Sequence, residues 1–353
     1  MRGRTVPGRR IQSATVSRVP GLRSLALAGS LLALPLLAGC GGSSDSASTS
    51  PSSTSTVAPA ASISDFPKAA TLTYATVRSK YGRSLSFAPG VGLLRKGITR
   101  VPFLVLDEGA KPVRGADVAI YTMRNDGSGV RGPYPAREQP FGIGPAYLSR
   151  TTASDPEQQK EFYVADVRTS SAQTAVFALA RVNGKTLATS ATTIGLKSKI
   201  APPPDVGDKA IRVHTLTAKD VGGDYSKVTT RVPPDKDMVQ TDFADVLGKK
   251  PVVLVFATPA LCQSRVCGPT VDVAEQVEGE FGSKVAWIHQ EIYKDNDINK
   301  GLRPQLASWR LQTEPWLFVI DRNGRIAGRI EGAVSVPELR ALVAKVAAGN
   351  STS

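Results

Sequence analysis

Residues 256–269 read FATPALCQSRVCGP, with cysteines at Cys262 and Cys267. They continue an apolar run, PVVLVFAT over 251–258, of the length and composition of a buried strand. Downstream, PTVDVAEQVEGEF over 269–281 places Val271, Ala274, Val277 and Phe281 on one helical face. The two cysteines therefore stand where a strand hands over to a helix. Gln263, Ser264, Arg265 and Val266 separate them. Positions five apart in a continuous helix lie about 8.6 Å apart, because five residues rise about 7.5 Å and turn about 140°. A disulfide tolerates at most about 7 Å between Cα atoms. If the pair is bonded, the intervening residues cannot all be helical, and the helix starts near Cys267 with Pro269 in its first turn.

Working outward, KVAWIHQEI over 284–292 reads as a second buried strand, QLASWRL over 305–311 as a helix and PWLFVI over 315–320 as a third strand. Asp321-Arg322-Asn323-Gly324 marks a turn into RIAGRI, an antiparallel partner strand. Ser335 and Glu338 form a capping-box pattern ahead of Leu339, Leu342, Val343 and Val346. This alternation predicts an α/β domain with a mixed sheet over 210–349. Trp287, His289, Glu291 and Tyr293 share one strand face by two-residue alternation. If that strand runs parallel to 251–258, its far end approaches the cysteines, where His289 or Glu291 can move protons. A buried polar pair that serves packing is the competing reading. Glu314 disfavours a neighbouring thiolate and Arg265 favours one.

Cysteines directly after the first central strand, a proline opening the next helix, and Thr313-Glu314-Pro315 entering a later strand together resemble a thioredoxin fold, and the domain is similar to membrane-tethered bacterial thioredoxin-like proteins. The resemblance implies a thiol–disulfide oxidoreductase with Cys262 as nucleophile, Cys267 as resolving thiol, and a cis Pro315 lying against the active cysteine. No cofactor is implied. The family's usual spacing is two residues, so four is a departure. Peroxiredoxins are a poor match, since Pro259 and Val255 stand three and seven residues before Cys262. The copper-delivery factors of cytochrome oxidase pair cysteines with a distant histidine and leave a copper-handling alternative open, with only His214 and His289 to supply that ligand. Asp295-Asn296-Asp297 superficially suggests a calcium loop, but Gly301 falls at position seven and Leu306 stands where a glutamate belongs. No metal is expected there.

A staple is the other use for the pair. Closing a loop of about six residues contributes only about 2 kcal/mol in the chain-entropy model. A bond at the carboxyl end of a central strand, beside a helix N-terminus that favours thiolate, is better placed for exchange. The alternative remains a non-enzymatic envelope scaffold with a structural disulfide.

Upstream, residues 64–199 hold β-rich runs, TRVPFLVLD, ADVAIYTMR, KEFYVADV and TAVFALARV, separated by the turn signals DGSG, VRGPYP and VNGK. They predict an antiparallel immunoglobulin-like sandwich without cysteine or histidine. The proline-rich stretch 200–209 reads as a linker between the two domains. Residues 1–39 carry six arginines and no acid, with an apolar run over 25–37, and describe an export signal. Leu37-Ala38-Gly39-Cys40 resembles the bacterial lipobox, which implies acylation of Cys40. Residues 40–63 form a Ser/Thr/Pro-rich linker. The expectation is a protein anchored by lipid on the extracytoplasmic face of the cell membrane, where Cys262 and Cys267 meet oxidising conditions and exported thiol or disulfide proteins are available as substrates. Of the net charge of +14, the signal supplies six; residues 205–353 are balanced, which leaves a basic middle suited to anionic lipid. The absence of basic residues interleaved with aromatics argues against nucleic acid.

Overall fold

The structure, a computed structural model, describes residues 59–170, 174–195 and 200–349. Cys40 and the export signal lie outside the described residues.

A helix, α1 (Tyr74–Tyr81), opens this region, its N-cap Thr73 exchanging bonds with Thr76. It is followed by β1 (Ser86–Pro89), β2 (Gly97–Leu106), β3 (Asp117–Met123), β4 (Arg131–Pro135), β5 (Arg137–Pro140), a short helix α2 (Arg150–Ala153), β6 (Glu161–Thr169), β7 (Ala175–Val182), β8 (Lys185–Ala188) and β9 (Thr192–Thr193). One antiparallel sheet has the order β1-β2-β6-β5; the other runs β4-β3-β7-β8, with β9 on β7. The sheets face each other across one core in which Phe103, Val105 and Tyr163 meet Val118, Ile120 and Ala178. VRGPYP is the one segment read as a turn that is a strand: its residues form β4 against β3, with a register shift at Tyr121 and a cis Gly132–Pro133 bond.

Both sheets are covered on their outer faces as well. Tyr121 and Phe177 turn away from the sandwich core and pack with Phe66, Val77 of α1 and Leu72. Phe162 and Val164 of β6, with Phe141, turn outward into the core of the C-terminal domain. Burial on two faces explains why β3, β7 and the Phe162–Ala165 part of β6 are near-continuous apolar runs with little alternation.

The C-terminal domain contains α3 (Phe243–Val246), β10 (Val252–Phe256), α4 (Cys267–Phe281), β11 (Ala286–Gln290), α5 (Pro304–Ser308), β12 (Trp316–Ile320), β13 (Ile326–Glu331) and α6 (Val336–Ala347). The sheet order is β11-β10-β12-β13: β11 is parallel to β10, and β12 and β13 are antiparallel to their neighbours. On one face Val253, Val255, Leu317 and Val319 pack under α4 and α6. On the other, Phe256 and Phe318 pack against Trp309 and Phe243. The mixed sheet and the helix start at Cys267 agree with the sequence reading.

One local expectation is corrected. Ser335 is the N-cap of α6 but makes no side-chain capping bond. Glu338 is drawn instead to Arg100 of β2, whose guanidinium also donates to the Ala333 carbonyl at 2.8 Å. An ion pair across the domain boundary thus displaces the local capping box. The 200–209 linker is docked along its length: Pro203 and Pro204 are buried, their carbonyls accept from Arg329, and Arg95 pairs with Asp205.

Candidate redox site

β10 ends at Phe256 and the chain reaches Cys262 through a short irregular turn; α4 then begins at Cys267. Cys262 and Cys267 are bonded, with Cα atoms 5.9 Å apart, well inside the span of a continuous helix over the same residues. The intervening loop achieves this by putting Arg265 in the left-handed region, φ 58°. The sulfurs are enclosed: Cys262 is 6% exposed and Cys267 is fully buried. Ser264 Oγ lies 3.2 Å from Cys262 Sγ.

The Glu314–Pro315 bond is cis and leads directly into β12, next to β10. This places Glu314 beside the disulfide: its carboxylate and the two sulfurs lie within 4.8 Å of one another. Burial, reinforced by the carboxylate of Glu291, pushes the Glu314 carboxyl up to about 8. Glu291 is fully buried just beyond β11, and one of its oxygens accepts from the Thr230 backbone N–H at 2.6 Å and from the Thr230 hydroxyl at 2.7 Å. The second oxygen, Oε2, of each glutamate is buried without a hydrogen-bond partner. Tyr293 faces Glu314, and burial with that neighbour raises its phenol. Arg303 faces Glu291 and is anchored by the Lys227 carbonyl and Asn296, both at 3.1 Å. The Asp295–Gly301 loop thus flanks the site. Its Asp295 is paired with Lys300 at 2.9 Å, and Asp297 accepts from Asn299 within the loop.

Two candidate supporting residues, Arg265 and His289, have partners of their own. Arg265 does not turn toward the sulfurs: its guanidinium meets Asp155 at 2.7 Å and Glu157 at 3.5 Å, on the loop after α2. Its carbonyl accepts from Gln158 and from the Gln159 backbone N–H. His289 is buried, with Nε2 3.0 Å from the Ala257 carbonyl, and does not join the group formed by Cys262, Cys267 and Glu314. His214 is engaged by Asp242 at 2.6 Å. Two cysteines and a histidine, the set a copper site of the delivery-factor type needs, are therefore not assembled among the described residues.

The sandwich encloses the site further. Gly332, whose N–H donates to the Pro315 carbonyl at 2.9 Å, has φ 78° and sits so close to Gly90 and Pro102 that a Cβ would overlap the Gly90 carbonyl oxygen. The Gly92 N–H donates to Glu331 at 2.6 Å. A cleft of about 780 Å³ remains between the sandwich and the inter-cysteine loop, lined by Pro89, Pro102, Phe162, Glu157, Gln263 and Arg265 among others.

Beneath α4 lies an ion network that sequence reading missed. Arg231 Nε donates to Asp272 at 2.9 Å, and its guanidinium also meets Glu275 and the Tyr147 carbonyl. Asp272, fully buried, also accepts from the Ser149 hydroxyl at 3.1 Å and its backbone N–H at 3.2 Å. In the sequence the only signal is an aspartate among the apolar residues in the first half of a helix.

A mixed four-stranded sheet, a disulfide joining the end of its first central strand to the following helix, and a cis-proline entering the neighbouring strand define a thioredoxin-like domain. No family model matches the chain. Nor does any curated protein. Among solved structures, the chain is similar to a thiol:disulfide interchange protein, a thioredoxin family protein from Chlorobium tepidum TLS, at 15% identity and a TM-score of 0.28, over 42% of this chain and 98% of that one.

Proposed function

We propose that the protein is an exported, lipid-anchored thiol–disulfide oxidoreductase acting through Cys262 and Cys267, with Cys40 as the acylated residue and an immunoglobulin-like sandwich shielding the redox loop. The observation that carries the redox assignment is the position of the disulfide, at a strand end, at the first turn of α4 and beside the cis peptide of Pro315. A helix N-terminus stabilises the leaving thiolate of Cys267. Cys262, the more exposed sulfur, is the one an incoming thiolate reaches. Substrates are thiol or disulfide groups of other exported proteins, and the basic middle of the chain suits a site beside anionic lipid.

Near-complete burial of both sulfurs favours a second reading, a scaffold whose disulfide is structural. The two separate experimentally. For an oxidoreductase, Cys267→Ser traps a mixed disulfide from envelope preparations because the resolving thiol is gone, and Cys262→Ser abolishes turnover. For a scaffold, both variants lose similar stability, on the order of 2 kcal/mol, and trap nothing. Membrane release of a Cys40→Ala protein after export tests the anchor.

A further inference from the structure

Resting on the redox reading above, we infer that the sandwich loop 155–159 is a redox-coupled latch: it grips Arg265 in the conformation that the Cys262–Cys267 bond requires, so that docking of the loop and closure of the disulfide favour each other, with Arg265 as the positioning residue that joins them.

The coupling lies in the backbone of Arg265. A continuous helix would hold the Cα atoms of Cys262 and Cys267 about 8.6 Å apart. The turn at Arg265, whose φ of 58° lies in the left-handed region, brings them to 5.9 Å. A side chain other than glycine rarely takes that conformation without support from its surroundings. A bonded pair and a helix continued back through Arg265 to Cys262 exclude each other.

Support comes from one loop of the sandwich. The Arg265 guanidinium meets Asp155 at 2.7 Å and Glu157 at 3.5 Å. Its carbonyl accepts from the Gln159 backbone N–H at 3.4 Å and from the Gln158 side-chain amide. That carbonyl would find no donor in an extended α4, because the residue four positions on is Pro269, which carries no N–H. The same loop is seated on α4 at Gly268, where a Cβ would come within 2.8 Å of Thr152 Oγ1 and 3.4 Å of Gln158 Oε1. A partly solvated ion pair is weak by itself. Here the side chain and the carbonyl of one residue are both gripped, so a change of φ at Arg265 disturbs every one of these bonds together. The loop has room to move when released: Pro156 and Gln159 line both the cleft of about 780 Å³ and a second cavity of about 520 Å³.

Reduction supplies the release. A dithiol reductant gives the pair two electrons and two protons; the S–S bond breaks, two thiols form, and the reductant leaves as a cyclic disulfide. The covalent hold on Arg265 is then gone, and residues 263–266 are free to leave the left-handed turn, which loosens 155–159. Linkage makes the effect reciprocal: the factor by which the bond favours docking is the factor by which docking favours the bond.

The full chain is equilibrated with mixtures of reduced and oxidised dithiothreitol or, where these reduce it fully, of glutathione, and the thiol and disulfide forms are counted by alkylation and mass spectrometry. Two proteins are compared with the native chain: Asp155→Asn combined with Glu157→Gln, and Arg265→Asn, which removes the guanidinium but keeps a residue that tolerates the left-handed turn. Each is expected to lower the equilibrium constant for forming the disulfide about tenfold, which raises the reduction potential by about 30 mV. In the native protein, which needs no substitution, the Gln159 amide is expected to exchange with solvent about ten times faster when the pair is reduced. An unchanged or increased equilibrium constant in the variants, or a Gln159 amide that exchanges equally fast in both redox states, would overturn the latch while leaving thiol exchange intact. A native protein whose disulfide opens only on unfolding would overturn the redox reading, and the latch with it.

Discussion

The guanidinium of Arg265, in the loop between the two cysteines, meets the carboxylate of Asp155 in the sandwich at 2.7 Å. The loop that carries the redox pair is therefore held by the other domain, and the Gly92–Glu331 and Arg100–Glu338 contacts join the same two domains elsewhere.

Releasing that tie should expose the disulfide without unfolding the protein. In Asp155→Asn combined with Glu157→Gln, we expect alkylation of reduced Cys262 by iodoacetamide to accelerate several-fold. The cost to stability should stay below about 1 kcal/mol, since the pair is partly solvated. An unchanged alkylation rate would mean that the other contacts hold the domains closed by themselves.

The Arg231–Asp272 pair is a different case, because both side chains are almost fully buried. Asp272→Ala leaves the guanidinium without its main partner and the Ser149 backbone N–H without its acceptor, and should cost about 3–5 kcal/mol by chemical denaturation. Replacing both residues together, Arg231→Met with Asp272→Leu, should cost markedly less. A milder single variant than double variant would contradict the pairing as described.

Stability should fall as pH rises above about 5. Burial pushes the carboxyl of Glu278 up to about 9, Glu314 up to about 8, and Glu275 and Glu331 up to about 7. For Glu275 burial outweighs the Arg231 contact; for Glu331 it outweighs the bonds from Thr313 and Gly92. Each group binds its proton more tightly folded than unfolded, where a glutamate titrates near pH 4.3. The native state therefore holds more protons from there to about pH 9, and stability is lost across that window. His214, raised mainly by its bond to Asp242, acts in the same direction. Aspartates such as Asp242, Asp220 and Asp295 are lowered by their hydrogen bonds, although burial opposes this at Asp242, and they remove stability only below the ordinary carboxylate range. Thermal melts should peak near pH 5 and decline toward pH 9, and Glu278→Gln should flatten the decline. A melting temperature that climbs toward pH 8 would refute this assignment of protons.

Local physics wrote much of this molecule into its sequence. Val252–Phe256 is a strand because five apolar residues in a row suit burial on both faces. Given a bond between Cys262 and Cys267, their spacing places the start of α4 near Cys267, because a helix cannot bring positions five apart within bonding reach. Pro315 and the order of strands and helices marked the thioredoxin-like arrangement. What the sequence left open was decided by partners far away along the chain. Arg265 and Glu338 each had a plausible local task, and each is taken by a charge from the other domain, Asp155 and Arg100. Glu314 and Glu291 are separated by a helix and two loops and become a facing pair only when β12 and β11 flank β10. Short-range patterns fix helix starts and strand faces because those depend on neighbours within a few residues. The charge state of a buried carboxyl depends on which other charges the fold brings within a few ångströms, and only the tertiary structure decides that.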